Sequence, residues 1–222
     1  MAKYKVAELF ESVNGEGPRS GQLAVFVRMQ GCNLACSYCD TKWANEKDAV
    51  FQWMSTEEIT DEIRRLRIRN VTLTGGEPLM QEDIEELLIA LTKDPWLRVE
   101  VETNGSIKLE SFAGIADTIS FNMDYKLPGS GMEHRMLPKN LDVLTAKDTV
   151  KFVVQDQTDL AFCLSLIADH DLTERCRVFL SPVYGGIEPE EIVEFMKEHC
   201  LNDVTLQLQI HKIIWDSETR GV

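Results

Sequence analysis

Long apolar runs are missing from this sequence of 222 residues. None approaches the ~18 consecutive apolar residues that a membrane-crossing helix needs, and the opening MAKYKVAELF has no signal-peptide core. Basic residues are scarce: 23 Lys and Arg face 37 Asp and Glu, a formal net charge of −14. Phosphate backbones recruit basic faces, so the balance argues against nucleic acid as a partner and for a small, anionic or metal-bound substrate. There is no repeat of fixed period, no low-complexity tract and no linker rich in Pro, Gly or Ser. A single domain over 1–222 is expected. These absences describe a chain expected in the cytoplasm, with no membrane partner, where thiols stay reduced. Its six cysteines then point to metal or redox chemistry before disulfides.

What is present reads as alternating strands and helices. Short β-branched runs fall at 23–29 (LAVFVRM), 71–74, 98–103, 118–122, 149–155, 177–182 and 204–211. Amphipathic helical patterns lie at 55–69, 82–93, 160–170 and 189–200. The first opens with a capping box of Ser55 and Glu58, and the last carries Pro189 in its first turn. Such alternation predicts an α/β fold with a mostly parallel sheet, and right-handed crossovers gather the strand C-termini at one edge. Polar clusters follow three strands there: GCNLACSYCDT (31–41), GGEP (75–78) and NG (104–105). Some helical segments are short or absent, so an open, partial (β/α) barrel is predicted instead of a closed eightfold one.

Cys32, Cys36 and Cys39 are spaced C-x3-C-x2-C on one loop, with no fourth cysteine beside them. Structural zinc closes with four protein ligands, normally from two short knuckles. No second knuckle exists here, although Cys163, Cys176, Cys200 or a histidine could supply a distant fourth ligand. An iron–sulfur cubane held by three cysteines instead leaves one iron open to a ligand from outside the protein. The spacing, with aromatic Tyr38 before the last cysteine, resembles the signature of the radical S-adenosylmethionine superfamily. That resemblance implies a 4Fe-4S cluster whose open iron chelates the amine and carboxylate of S-adenosylmethionine, and cleavage of the sulfonium to a 5′-deoxyadenosyl radical. Residues 74–78 (TGGEP) are turn chemistry by themselves. After the cysteine loop they resemble the superfamily's GGEP element, which implies Gly76 and Glu77 at the cofactor's ammonium, glycine permitting close backbone approach. Tyr38, Cys39, Asp40, Glu102, Asp124, Tyr125 and Lys126 are the further cofactor contacts implied.

The stretch 8–32 (ELFESVNGEGPRSGQLAVFVRMQGC), the CDT at 39–41 and QLQIHK at 207–212 together resemble the 7-carboxy-7-deazaguanine synthases, across nearly the whole chain. The resemblance implies a pterin substrate, 6-carboxy-5,6,7,8-tetrahydropterin, which loses ammonia as its ring contracts after hydrogen abstraction at C6. It implies substrate contacts from Val13, Asn14, Gly15, Glu16, Arg28, Thr74 and His211, with the Arg28 guanidinium gripping the carboxylate bidentately. Asn14 stands where other members carry Gln. Thr41 is implied as a ligand of Mg²⁺ bridged to the substrate carboxylate, an ion that accepts few protein ligands. A homodimer and a flavodoxin- or ferredoxin-type reductant are implied as well. No conventional acid–base dyad is evident, and no catalytic side chain is assigned beyond the cofactors.

The remaining segments are read more blandly. Cys163, Cys176 and Cys200 are expected as buried thiols. Residues 42–54 are expected to shield the cluster, to meet a reductase or simply to pack. Residues 213–222 read as a closing tail or a surface strand extension. A glycyl-radical-enzyme activase would continue after the third cysteine with Asn or His and then Pro, where this chain has Asp40-Thr41, and would lack the GEG opening. A noncatalytic electron carrier would need a fully coordinated cluster and would leave GGEP without a purpose.

Overall fold

The computed structural model describes residues 2–216 and 219–222. Its frame is one sheet of nine strands: β1 Lys3–Val13, β2 Leu23–Met29, β3 Gln52–Ser55, β4 Asn70–Gly75, β5 Arg98–Thr103, β6 Ile119–Asp124, β7 Thr149–Val154, β8 Arg177–Pro182 and β9 Val204–Leu206. They lie in the order β3-β1-β2-β4-β5-β6-β7-β8-β9. β1 runs antiparallel to both neighbours, and all pairs from β2 to β9 are parallel. β3 and β9 are the two edges, so the barrel is open.

The helices are α1 Lys42–Asn45, α2 Thr56–Leu66, α3 Ile84–Thr92, α4 Gln157–Asp169, α5 Leu172–Arg175, α6 Pro189–Glu198 and α7 His211–Ile214. Outward-facing strand residues such as Val71, Val99 and Phe152 share one buried core with Ile59 and Ile63 of α2, Leu87 and Leu91 of α3, and Leu160 of α4. Because strand side chains alternate faces, the residues between them (Thr72, Thr74, Glu100, Glu102, Asn122 and Asp124) point into the barrel. That face is polar, and it leads to the site.

The connections β5→β6 and β6→β7 carry only short 3-10 turns. Buried polar side chains brace them in place of helices. Asn140 donates to the carbonyls of Gly105 and Ile107 at 2.8 and 2.7 Å and accepts from Leu109 N at 3.0 Å. Asp148 accepts from Phe121 N and Thr145 N. Every buried hydrogen-bonding group met in this way avoids a desolvation penalty of about 1–3 kcal/mol.

Several boundaries differ from the sequence reading. The strand before the cysteine loop is the second, because 3–13 forms an unforeseen antiparallel β1 with an irregularity between Val6 and Glu8. The Ser55–Glu58 capping box is present, but α2 ends early where Arg67 turns left-handed at φ 55°. α4 begins at Gln157 because the Asp156 carboxylate caps Thr158 N and Asp159 N. The run 204–211 is a strand only to Leu206 and turns helical at His211. Cys163 and Cys176 are buried as expected, whereas Cys200 is exposed: it follows the end of α6 at φ 51°, and its thiol faces out.

Candidate active site

A cleft of about 480 Å³ opens at the C-terminal ends of the parallel strands. One end is the cysteine loop. Cys32, Cys36, Tyr38, Cys39, Asp40 and Thr41 all line the cleft. The loop is tied down by its neighbours: Asn104 Nδ2 lies 3.5 Å from Cys32 Sγ, Asn45 Nδ2 lies 3.8 Å from Cys39 Sγ, and Tyr38 donates its hydroxyl to Val153 O at 3.3 Å. Thr41 Oγ1 lies 3.6 Å from Cys39 Sγ, so the proposed magnesium threonine touches the cysteine loop directly.

The GGEP turn is zipped onto the same loop. Gly76 N donates to Met29 O at 3.3 Å and Glu77 N to Gly31 O at 3.0 Å. A Cβ on Gly76 would fall 2.1 Å from Gly31 O and 2.3 Å from Asn45 Oδ1. The close approach that glycine permits is therefore made to the protein's own cysteine loop. Glu77 departs further from expectation. Its carboxylate is fully buried and does not line the cleft. It accepts from Leu79 N at 3.0 Å, Thr103 Oγ1 at 3.0 Å and Asn104 N at 2.7 Å, and burial pushes its pKa up to about 7 against those bonds. It braces the turn from behind.

The floor of the cleft is charged. Asp124 Oδ2 lies 2.8 Å from Lys126 Nζ and 3.7 Å from Lys151 Nζ, and Lys151 lies 2.9 Å from Glu16 Oε2. Burial works against each of these charges, yet the two ammonium groups outweigh it and hold the Asp124 carboxyl below its ordinary value. Burial likewise opposes Lys126 and Lys151, and the surrounding carboxylates hold both above the ordinary lysine value. Lys126 also sits 5.8 Å over the Tyr38 ring. Glu102 accepts a 2.7 Å hydrogen bond from Thr74 Oγ1, and burial, opposed by Lys151, raises its pKa.

Along the remaining wall, Arg28 is held by Glu8 at 3.1 Å and lies beside the stacked rings of Phe10 and Phe26. Val13, Gly15 and Glu16 line the cleft, and the His211 ring packs so tightly on Gly15 that a Cβ there would meet Nδ1 at 2.0 Å. Burial lowers the His211 pKa and favours the neutral imidazole. Besides Glu77, two anticipated residues lie outside the cleft. Asn14 turns inward, where its Oδ1 accepts from Thr72 Oγ1 at 2.9 Å, and Tyr125 is core, edge-on to Phe152. Asn45, Asn122, Lys151 and Lys212 line the cleft without having been singled out, and Asn104 of the Asn-Gly cluster lines it too. Lys151 had a signal, since a lysine between Val150 and Phe152 interrupts an apolar strand. In the tail, the Arg220 guanidinium lies 4.3 Å from the Trp43 ring and Val222 lines the cleft, while Ser217 and Glu218 lie outside the described residues.

A family model for the radical SAM superfamily matches residues 26–125. Over 219 residues the chain is 54% identical to the 7-carboxy-7-deazaguanine synthase of Clostridium acetobutylicum, covering 99% of each. It is 38% identical to that of Leptospira interrogans over 99% of this chain and 98% of the other. The chain belongs to the 7-carboxy-7-deazaguanine synthase family. The crystal structure of QueE from Escherichia coli shares the fold of this family member, with a TM-score of 0.74 at 22% identity over 93% of each chain.

Family membership implies an iron–sulfur cluster and S-adenosylmethionine, and the donor set fits them. Thiolates suit iron–sulfur ligation. Among the described residues no group of three His, Cys, Asp or Glu side chains closes on one point as a preformed ion cage. The three cysteines share one wall of the cleft. Burial, followed by nearby carboxylates and neighbouring thiols, raises the pKa of Cys32 and Cys36, a cost that a cationic iron centre bound by their thiolates would offset. Among the described residues, two buried polar atoms at the cleft have no hydrogen-bond partner: Asn45 Oδ1 and Asp124 Oδ1. Unsatisfied groups of this kind mark where a polar ligand belongs.

Proposed function

We infer that this protein converts 6-carboxy-5,6,7,8-tetrahydropterin to 7-carboxy-7-deazaguanine with loss of ammonia, as a radical S-adenosylmethionine lyase of deazapurine and queuosine-precursor biosynthesis. One observation carries the reading: a single cleft has a three-cysteine loop at one end and a floor of paired charges at the other. When bound, the cluster and S-adenosylmethionine supply the carbon radical that takes hydrogen from substrate C6.

The chain's own residues bind, orient and exclude water. Cys32, Cys36 and Cys39 hold the cluster. Tyr38, Asp40, Gly76, Glu102, Asp124 and Lys126 flank the cofactor, while Glu77 and Tyr125 support that wall from behind. Glu16, with the backbone of Val13 and Gly15, accepts from the N–H groups of the pterin pyrimidine edge, and Asn14 shapes that loop from below. Arg28 takes the substrate carboxylate, aided by Mg²⁺ on Thr41. Thr74 fixes Glu102, and neutral His211 offers one ring nitrogen to the substrate.

The same reading assigns a single domain over 1–222, supported by one continuous sheet and one core. It assigns a cytoplasmic homodimer reduced by a flavodoxin- or ferredoxin-type protein, with neither nucleic acid nor membrane as partner. The net charge of −14 weighs against nucleic acid, and among the described residues no helix is long and apolar enough to cross a membrane. Anaerobic incubation of the reconstituted protein with the pterin, S-adenosylmethionine, reductant and Mg²⁺ is expected to yield the deazapurine. No product from protein with an intact cluster would refute the assignment.

A further inference from the structure

Lys151 is an ammonium in the middle of the apolar strand TVKFVV, with its side chain only 9% exposed. Burying such a charge is costly unless it is paired and hydrogen-bonded. Its partners come from the two halves of the proposed site. Glu16 Oε2, 2.9 Å away, belongs to the pterin end, and Asp124 Oδ2, 3.7 Å away, belongs to the cofactor end. Glu16 Oε1 is in turn held by Ser181 Oγ at 3.3 Å. Each Glu16 oxygen thus has one fixed protein donor and keeps a lone pair for a ligand.

We propose that Lys151 is a positioning residue for substrate recognition: its ammonium holds the Glu16 carboxylate aimed into the cleft and ties it to the cofactor-side Asp124. The inference rests on reading the cleft as a pterin site. Glu102 from β5 and Asp124 from β6 bring negative charge to Lys151, while Arg28 from β2, Lys126 after β6 and His211 on α7 complete the charged or titratable surroundings. Without the Lys151 ammonium, Glu16 Oε2 loses its 2.9 Å partner, and only the Ser181 hydroxyl on Oε1 is left to aim the carboxylate. A carboxylate no longer aimed at the pterin N–H groups accepts from them at poor distance and angle.

The test is equilibrium binding of the carboxytetrahydropterin to the full-length, cluster-reconstituted protein under anaerobic conditions, with thermal melting as the check on folding. Lys151→Met is expected to weaken binding about 30-fold or more at pH 7, as removing one partner of a buried charge pair does. Lys151→Arg is expected to stay within about threefold of wild type, because it restores the charge. In a Glu16→Gln background, adding Lys151→Met is expected to change affinity by less than about threefold, since the two residues act as one unit. Wild-type affinity in Lys151→Met, or failure of Lys151→Arg to rescue, overturns the proposal. So does a full further loss in the double variant, which also decides the matter if Lys151→Met alone does not fold. Wild-type protein that binds no pterin removes the functional reading itself, and this inference with it.

Discussion

Replacing Glu100 by glutamine turns a buried charge into a pH-resolved stability measurement. Glu100 is 3% exposed and lies two residues from Glu102 on the inward face of β5. Burial first, and then the Glu102 charge, push its carboxyl from 4.5 up to about 7, against the Arg19 guanidinium 3.0 Å away. A carboxyl whose pKa rises on folding holds its proton more tightly in the folded chain. Its contribution to stability is therefore complete below pH 4.5 and is lost as pH climbs through about 7. Between pH 5 and pH 8 that loss amounts to about 2–3 kcal/mol. For a chain of 222 residues it corresponds to roughly 5–10 °C in melting temperature. Glutamine keeps the shape and removes the proton equilibrium. Melting curves of both proteins, taken anaerobically across this range, are expected to diverge in favour of the variant by that amount as pH rises. Other titrating groups and the cluster are common to both and cancel in the difference. A difference that stays constant with pH would mean that Arg19 keeps Glu100 ionised throughout, and would refute the argument.

Replacing any one of Cys32, Cys36 and Cys39 by alanine is expected to abolish the visible absorbance of the cluster together with turnover, whereas Cys200→Ala, at an exposed thiol, leaves both unchanged. Gly75 sits at φ 135° with Met29 O only 2.2 Å from the position of a Cβ. Gly75→Ala is therefore expected to cost about 3 kcal/mol or more in denaturant unfolding, through backbone strain and overlap together. Thr41→Val is expected to retain the cluster spectrum while the stimulation of turnover by added Mg²⁺ disappears; unchanged stimulation would remove Thr41 from the metal site.

The cysteine loop and the parallel strands were legible because their signals are local. Three thiols within eight residues and apolar runs such as 98–103 and 149–154 need no distant partner to be recognised. β1 was not, because its irregularity between Val6 and Glu8 breaks the alternation that marks a strand. The run 204–211 alternates well and still stops as a strand at Leu206: Gln207 N makes a last bond to Leu180 O at 2.8 Å while its side chain bonds Gly17. Glu77 looked like a cofactor ligand until Thr103 and Asn104 claimed its oxygens, and that competition exists only in three dimensions. Lys151 was visible as an anomaly, but its partners Glu16 and Asp124 lie 135 and 27 positions away in the chain.

The bond between Gly17 and Gln207 runs in both directions, Gly17 N to Oε1 at 2.9 Å and Nε2 to Gly17 O at 3.2 Å, across 190 positions of sequence. Ile210 N adds a third stitch to Gly15 O at 3.1 Å. During synthesis the cysteine loop can leave the ribosome and be loaded with iron early, while the pocket beside it has to wait for the last segment to arrive. A nascent or truncated chain stopped short of Gln207 would thus carry the oxygen-sensitive half of the machinery with nothing to hold the molecule it acts on.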